Sequence, residues 1–502
     1  MTWYKIAETS AEKASFLMLD LSYYPAFLEL KKKTGILEKF AAYTDRKRNL
    51  VSEFMNDEDV AKKAAFGLAF FANDKNVAQY KSDIEQIIAA TNQFKKSLMY
   101  MDIYTTSSRE LLSLFEKGRV LYRKALGMYL LSQPEYTSGV EEYGKKELVS
   151  FVPQDKIEEV FMLLTSSSES SCLEEERIDW LNTIVLPAMK LYKKLSDIES
   201  DSNIFKKIKK HIEKYKYYSA SFESGVWDEK HYHKILQDDF ARGLRKNVEE
   251  NANLKSKTRH MLKQKVEIIK KYKIGPEILK LLRVVSELGV LRINLRILGW
   301  QFFDYLFPLL IQISADMSKI SREIVNALSY TEYVSFLEGN LIASDKKTKR
   351  TASSLVLITP ESGYITFENE AANTKFNSEI REEIKKVKSF KGNVAYRSGI
   401  IKGNIFLFVW GSQDFNNRIY TFPENAILVA GQTRPLLMPA IRKAKAIITD
   451  EGGLLCHAAI ISRELRIPCI IGTKIATKIL NDGDEVEIDT NTGFVTVLEK
   501  KA

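Results

Sequence analysis

The stretch from Ala446 to Thr473 constrains the fold more than any other part of the chain. It begins with the apolar run Ala446 to Ile448, passes through a turn with two adjacent glycines, and takes on helical spacing from His457 onward. Pro468 disfavours helical geometry at the residue before it, so the helix is expected to end there and the apolar residues that follow to form a new strand. The stretch predicts a strand, a glycine turn, a helix and a second strand, with His457 at the helix start.

A histidine in this position suits phosphoryl transfer. A neutral imidazole is a good nucleophile near neutral pH, and a helix start offers backbone N–H groups and a positive dipole end to a phosphoryl group. Gly452 and Gly453 would let the backbone come close to such a group. The spacing also fits a histidine that is capped or packed in a core, so the residue types alone leave both interpretations open.

The residues around His457 carry a resemblance to a known family. Residues 452–468 read Gly-Gly-Leu-Leu-Cys-His-Ala-Ala-Ile-Ile-Ser-Arg-Glu-Leu-Arg-Ile-Pro. This motif resembles the phosphohistidine (swivelling, or mobile) domain of the phosphoenolpyruvate-utilising enzymes, such as phosphoenolpyruvate synthase, pyruvate phosphate dikinase, rifampicin phosphotransferase and phenylphosphate synthase. The similarity extends over residues 391–499. It implies that His457 is the catalytic phosphoryl acceptor, through its Nε2 atom.

The resemblance also implies roles for the neighbours of His457. The two glycines permit close approach, the backbone amides around Cys456 and Ala458 would hold phosphoryl oxygens, and Arg463 would neutralise charge. Arg463 is equally a candidate for a surface salt bridge. Asp450 and Glu451 fit either a Mg²⁺ site or a favourable interaction with the positive end of the helix, and we favour the second, which leaves no predicted metal site.

Two residues depart from the family motif. Leu455 stands where dikinases and enzyme I of the sugar phosphotransferase system have threonine, so a hydroxyl near the phosphoryl group is missing. Arg466 stands where glycine is usual. The first departure resembles family members that phosphorylate acceptors other than pyruvate, and it leaves the activity of the site open.

The chain is expected to be multidomain, with a mainly α-helical N-terminal region followed by a C-terminal α/β domain. Residues 1–345 carry long helical periodicity and few glycines or prolines, which predicts a helical domain that could bind the acceptor. Residues 346–390 read as a hairpin and a helix that form a connector. Residues 391–502 alternate strands and helices and are predicted to form the swivelling domain.

Composition narrows the classes of partner. The chain has 502 residues, 45% of them hydrophobic, and a net charge of +10 from charges of both signs, which predicts a soluble, cytoplasmic protein without a membrane partner. The lysine-rich segment Phe205 to Lys216 fits a solvated helix face better than a nucleic-acid site. His231 and His233 are two residues apart and would point to different helix faces, so they do not predict a metal site. Three dispersed cysteines predict neither a disulfide framework nor a zinc site.

The first 340 residues show no glycine-rich phosphate loop followed by lysine, no regular βα alternation and nothing like a (β/α)₈ barrel. In the family, an ATP-grasp domain phosphorylates the histidine. The resemblance therefore implies that ATP and Mg²⁺ act through a separate ATP-grasp subunit, that this chain binds neither by itself, and that it passes the phosphoryl group to a small-molecule acceptor of unknown identity.

Two other functions stay open at this stage. The swivelling domain could be a docking module of a non-catalytic regulatory or scaffold protein, since the loading domain and the threonine are missing. A phosphoenolpyruvate-dependent phosphotransferase is the third interpretation, and the lack of a barrel disfavours it.

Overall fold

The computed structural model describes fourteen segments of the chain, namely residues 3–10, 16–45, 50–56, 59–99, 101, 106–167, 172–199, 201–219, 227–340, 353–380, 387–409, 414–450, 452 and 456–501. The N-terminal two-thirds is dominated by helices, which are α1 (Phe16–Thr34), α2 (Val60–Phe71), α3 (Asp74–Met99), α4 (Ser108–Leu131), α5 (Pro134–Leu148), α6 (Ile157–Thr165), α7 (Cys172–Trp180), α8 (Leu186–Leu191), α9 (Leu195–Glu199), α10 (Ser202–Tyr215), α11 (Glu229–Arg242), α12 (Leu244–Tyr272), α13 (Pro276–Gln301), α14 (Phe307–Met317), α15 (Arg322–Asn326) and α16 (Tyr330–Leu337). The helices of the C-terminal third are shorter, namely α17 (Asn369–Glu379), α18 (Phe415–Tyr420), α19 (Met438–Ile441), α20 (His457–Leu465) and α21 (Ala476–Ile479).

The described strands belong to two sheets. They are β1 (Trp3–Ser10), β2 (Phe40–Asp45), β3 (Leu50–Asn56), β4 (Ser353–Thr359), β5 (Gly363–Glu368), β6 (Ser389–Lys391), β7 (Asn393–Tyr396), β8 (Ile400–Phe408), β9 (Ile427–Ala430), β10 (Ala446–Thr449), β11 (Cys469–Ile471), β12 (Glu485–Asp489) and β13 (Phe494–Glu499). The predicted fold class, a mainly helical region followed by an α/β region, is confirmed.

The chain divides into two compact units. One consists of Met1–Val60 together with Ser314–Ala502, and the other of Ala61–Ile313. The described part of the second unit is helical, with π-helical segments at Leu181–Val185 and Phe302–Leu306. The domain limits expected from the sequence, at 345/346 and 390/391, stay predictions.

The apolar segment from Ile297 to Ile313 lies in α13, the π-helical segment after it and α14. Ile297, Phe302 and Leu310 are buried inside the protein. Within the described segments, we find no helix whose length and hydropathy would suffice to cross a bilayer.

Two glycines allow a close approach of α2 and α5 in the helical unit. A Cβ atom at Gly67 would lie 1.7 Å from the carbonyl oxygen of Tyr136, and one at Gly139 would lie 2.2 Å from that of Ala64. Each helix therefore presents a glycine to the backbone of the other. Neither position has room for a side chain unless the two helices move apart.

Replacing Gly67 by alanine is expected to destabilise the helical unit by about 1–3 kcal/mol, because the added methyl group forces the packed helices apart. Gly289→Ala is the matched control, since Gly289 lies within α13 and a Cβ there would meet nothing within 4 Å. That control is expected to stabilise the protein by up to about 1 kcal/mol through helix propensity alone. Urea unfolding followed by circular dichroism measures both, and equal effects of the two variants would contradict the close approach.

The first unit contains a five-stranded antiparallel sheet with the strand order β1-β3-β2-β4-β5. The β4–β5 hairpin, which the sequence predicts within the connector, pairs through β4 with β2, so that Phe40 lies opposite Ile358. Strands β1 to β3 correct the expectation of a helical start to the chain. The most distant pairing partner is β4, which lies about 300 residues after β2 in the sequence. The helical periodicity of the neighbouring α1 does not reveal such pairing.

A buried carboxyl group lies on β3 of this sheet, between β1 and β2. Glu53 on β3 is 2% exposed, and its Oε2 atom accepts a hydrogen bond from the Tyr23 hydroxyl at 2.6 Å. Burial raises the pKa of Glu53 from 4.5 to about 7, although the bond from Tyr23 lowers it in part. Between about pH 4.5 and pH 7, the carboxyl of Glu53 is therefore mostly protonated in the folded protein and mostly ionised in the unfolded chain.

This shift predicts a stability that declines with pH. A carboxyl whose pKa is higher in the folded state contributes stability below about pH 4.5 that is lost as the pH rises through about 7. Glu53→Gln cannot ionise and is expected to be more stable than the wild type at pH 8, by on the order of 2 kcal/mol. Thermal unfolding of both proteins at pH 5 and pH 8 measures the difference, and parallel pH dependences would refute this role of Glu53.

The second sheet of this unit has eight strands in the order β6-β13-β12-β8-β9-β10-β11-β7. Strands β8, β9, β10 and β11 are parallel, and the pairs toward both edges are antiparallel. Hydrophobic clusters cover both faces of the parallel strands, one centred on Leu428 and Ile447 and the other on Val429 and Ile448. This alternation along β9 and β10 gives two buried sheet faces, and the parallel pairing of the two strands brings their carboxyl ends together at one edge.

Candidate functional site

The site lies where β9 and β10 end. The two strands pair in parallel, with Ala430 opposite Thr449, so the segments that leave them start side by side. One segment leads to Thr433, and the other leads through Gly452 to His457, the first residue of α20. Parallel sheets place ligand-binding and reactive groups at the carboxyl ends of their strands.

His457 contacts a threonine from the neighbouring segment. Its Nδ1 atom lies 2.9 Å from Oγ1 of Thr433, within hydrogen-bond distance. Thr433 is buried, whereas His457 is only partly buried. The hydroxyl can either donate to Nδ1 or accept from an N–H there, so the contact orients the ring and leaves Nε2 on the side of the imidazole away from Thr433.

The start of α20 is capped by Cys456. Its backbone is extended (φ −73°, ψ 163°), and its Sγ atom accepts a hydrogen bond from the N–H of Ala459 at 3.4 Å. Ala458 is 2% exposed and packs into the core beside Cys469, which anchors the first turn below His457. The predicted strand–turn–helix–strand order is present as β10, α20 and β11, with His457 at the first helical position.

Gly452 lies in a conformation that side chains rarely adopt. Its φ is +118°, and a Cβ atom at this position would lie 2.6 Å from the Cys456 Sγ atom. A glycine is therefore required where the loop passes the cap of α20. Gly453 lies outside the described residues, as do Glu451, Leu454 and Leu455, so the roles expected of them stay predictions.

Asp450 connects the loop after β10 to the start of α21. Its carboxylate accepts hydrogen bonds from Oγ1 of Thr473 at 2.9 Å, from the backbone N–H of Thr477 at 3.2 Å and from the Thr477 hydroxyl. Burial raises the pKa of Asp450, and the bonds from the two threonines lower it in part. Both oxygens face the start of α21, and the functions expected of Asp450 and Glu451 from the sequence stay predictions.

The two arginines of α20 have different positions. Arg463 is partly buried, and its Nε atom donates to the Ala459 carbonyl oxygen of the same helix at 2.6 Å. Its contribution to phosphate binding stays a prediction. Arg466 ends the helix in the left-handed region with φ +57°, which explains why glycine is usual at this position in the family.

The other candidate groups named from the sequence lie apart from His457 along the chain. The ring of His231 stacks on Trp227 with 4.9 Å between ring centroids, and Nε2 of His233 lies 2.8 Å from Nε2 of Gln237. Within the described segments, no group of three or more His, Cys, Asp or Glu side chains is arranged to hold a metal ion. Most of the lysines of α10 are solvent-exposed, in agreement with a solvated helix face.

Thr433 is the residue that sequence reasoning missed. It lies 24 positions before His457, outside the motif that carries the resemblance. The segment Gln432-Thr433-Arg434-Pro435 nevertheless had a signal, since it is polar and follows the apolar run Ile427 to Ala430 after a single glycine. Thr433 and Arg434 are 4% and 8% exposed, so this polar segment is folded into the protein beside the site.

Comparison with known proteins agrees with this geometry. Residues 422–493 match the family model described as "PEP-utilising enzyme, mobile domain". The phosphoenolpyruvate synthase of Pyrococcus furiosus is 40% identical over 118 residues, which cover 24% of this chain and 14% of that protein. A probable phosphoenolpyruvate synthase of Archaeoglobus fulgidus is 54% identical over 72 residues, covering 14% of this chain and 10% of that protein.

A third relative carries a phosphotransferase name. The uncharacterized phosphotransferase YvkC of Bacillus subtilis is 37% identical over 121 residues, which cover 24% of this chain and 14% of that protein. The chain thus spans only about a seventh or less of the length of these curated relatives. The matched residues contain the β9–β10 edge, Thr433 and His457. Residues 422–493 therefore form a phosphohistidine mobile domain of the kind found in PEP-utilising phosphotransferases.

Proposed function

We propose that this chain is the phosphoryl-carrying part of a phosphotransferase. His457 accepts a phosphoryl group from a separate ATP-dependent subunit of the ATP-grasp type and transfers it to an acceptor bound by the helical region. The observation that carries this proposal is the 2.9 Å contact between His457 Nδ1 and Thr433 Oγ1 at the start of α20, which directs the reactive nitrogen of the ring away from the threonine.

In the first half-reaction, the Nε2 lone pair attacks the phosphorus of the donor. The P–N bond forms as the P–O bond to the leaving group breaks. The ring gains positive charge during this step, and its Nδ1–H group donates to the hydroxyl oxygen of Thr433. The hydroxyl therefore stabilises the charge that develops on the imidazole.

The surroundings of Nε2 favour the phosphoryl group itself. N–H groups of the first helical turn and the positive end of the α20 dipole attract anionic oxygens. The φ of +118° at Gly452 carries the loop past this helix end without a side chain. We assign the remaining phosphate contacts to Gly453, to the backbone of Cys456 and Ala458, and to Arg463.

In the second half-reaction, an acceptor oxygen attacks the phosphorus and the P–N bond breaks. The electron pair of that bond returns to Nε2, and the proton lost by the acceptor leaves to a base or to solvent. His457 is regenerated as a neutral imidazole. The chain then follows a ping-pong mechanism in which donor and acceptor never need to be bound together.

A separate donor is supported by the content of the helical unit. Its described residues form helices without a β-sheet, so no strand-to-helix phosphate loop occurs among them. ATP and Mg²⁺ would then be bound by the partner subunit, and the helical unit would be left to bind the acceptor.

The test incubates the purified full chain with Mg-ATP alone, with phosphoenolpyruvate alone, and with ATP plus lysate from its own host. Intact mass and the acid lability of the bound phosphate are measured. One acid-labile phosphoryl group that appears only with ATP and active lysate is expected, and heat-treated lysate is the control. Labelling by ATP alone would replace the separate donor with a nucleotide site in this chain, and labelling by phosphoenolpyruvate would identify a different donor. No labelling in any mixture would favour a docking role for the mobile domain.

A further inference from the structure

The helix α12 carries a row of exposed side chains along one side. We name this row the α12 stripe, and its members are Leu244, Val248, Lys255, Arg259, Leu262 and Val266. At 3.6 residues per turn these six positions fall within about 60° of one another around the helix and extend over about 33 Å along it. The stripe is apolar at both ends and basic in its middle.

The four apolar members of the α12 stripe are exposed to solvent. Leu244 is 37% exposed, Val248 45%, Leu262 44% and Val266 49%. The side of α12 next to the stripe packs on α6, α7, α8 and α11, with Asn247 and Asn251 buried there. Single exposed aliphatic residues are ordinary, but four that are aligned on one helix face indicate a binding surface.

The charge of α12 selects the kind of partner. The helix has nine Lys and Arg residues and three Glu residues, so it carries a net +6 of the +10 of the whole chain. In the middle of the stripe, the Lys255 ammonium donates to the uncharged amide oxygen of Asn182 at 3.0 Å. Arg259 has no ion-pair partner among the residues that the structure describes. A partner that covers the stripe must therefore bring negative charge to its centre.

Three other occupants fit the α12 stripe less well. A second copy of this chain would place its own Lys255 and Arg259 against Lys255 and Arg259 of the first, whether the two helices pair in parallel or antiparallel. These like charges would repel each other. A bilayer would require a continuous apolar face, which these two residues interrupt. A nucleic acid would leave the aliphatic ends of the stripe without an apolar contact, since phosphates recognise the basic groups alone.

We propose that the α12 stripe is the docking site for an amphipathic helix of another polypeptide, with acidic residues at its centre and aliphatic residues toward both ends. The aliphatic ends of that helix bury Leu244, Val248, Leu262 and Val266, and its carboxylates pair with Lys255 and Arg259. This is helix-on-helix recognition in which the apolar contacts supply affinity and the charges fix register and orientation. The proposal does not depend on the phosphoryl chemistry of His457.

The test replaces Val266 by the photo-crosslinker p-benzoylphenylalanine in the full chain expressed in its own host. Gln264, which is exposed on the far side of α12, is the matched control site. Mass spectrometry identifies the crosslinked peptide. We expect a crosslink from position 266 to a segment of another protein with acidic residues between aliphatic residues at helical spacing, with a yield about tenfold above that of position 264.

A second variant tests the role of charge. Lys255→Glu together with Arg259→Glu is expected to reduce that crosslink by about tenfold, and circular dichroism is expected to be unchanged because both side chains are exposed. A crosslink to a copy of this chain, to nucleic acid or to lipid overturns the proposal. Equal yields at positions 264 and 266, no crosslink at 266, or a yield that charge reversal does not change overturns it as well.

Discussion

Replacing His457 by alanine is expected to abolish acid-labile phosphate on this chain, a loss of at least on the order of 1,000-fold. His457 is the imidazole at the first position of α20, and no other side chain of the described site supplies a nitrogen nucleophile. The measurement is the phosphate content of wild type and variant after incubation with ATP and host lysate.

The matched control is His233→Ala. His233 is one of the five histidines of the chain, is solvent-exposed on α11 and lies in the other unit. With the lysate system, this variant is expected to be labelled as the wild type is. Acid-labile phosphate of equal amount on the His457→Ala protein would show that a different histidine carries the group. Acid-stable phosphate on that protein would point to an ester on a hydroxyl group.

The strand–turn–helix–strand core of the site could be predicted because its signals are local. The apolar run of β10, the glycine turn and the break at Pro468 each act on residues within a few positions in the sequence, and each has one dominant conformational outcome. His457 at the helix start follows from these signals together. The family motif then adds a role to a position that the pattern had already located.

Other features could not be predicted because they depend on distant parts of the chain. Strand β2 pairs with β4 across more than 300 residues, and no pattern within β2 specifies that partner. The bonds from Thr473 and Thr477 to Asp450 likewise exist only because β10 and β11 are adjacent parallel strands. A sequence pattern identifies which residues are buried in a strand, but not which strand they will pair with.

Thr433 lies between these two cases. The end of β9 is predictable, and so is the polar segment that follows it, but the neighbour of β9 in the sheet is not. Once β9 is known to pair with β10, residues that follow the two strands are expected to meet at the sheet edge. The contact between Thr433 and His457 thus follows from the pairing of β9 with β10. A substitution of Thr433 therefore tests directly whether the sheet topology places a group that helps His457 to react.

Replacing Thr433 by valine is expected to slow phosphorylation of His457 by about 10- to 100-fold, because a hydrogen bond to a group that becomes charged contributes roughly 1.5–3 kcal/mol. Valine has nearly the same shape as threonine, so the buried position stays filled while the acceptor for Nδ1–H is lost. The rate is measured with phosphoramidate, which phosphorylates accessible imidazoles without a protein partner, and peptide mapping separates labelling at His457 from labelling at the other histidines.

Thr433→Ser is the control that distinguishes chemistry from packing. Serine retains the hydroxyl and loses a methyl group, so its rate is expected to stay within about threefold of the wild type although the domain is less stable. A purely structural role for Thr433 predicts the opposite order, with serine more impaired than valine. A change in the nitrogen NMR signals of the His457 ring toward the other tautomer in the valine variant, but not in the serine variant, would connect the slower reaction to the lost hydrogen bond. If valine reacts as fast as the wild type, the hydroxyl at 2.9 Å holds the ring without contributing to its nucleophilicity.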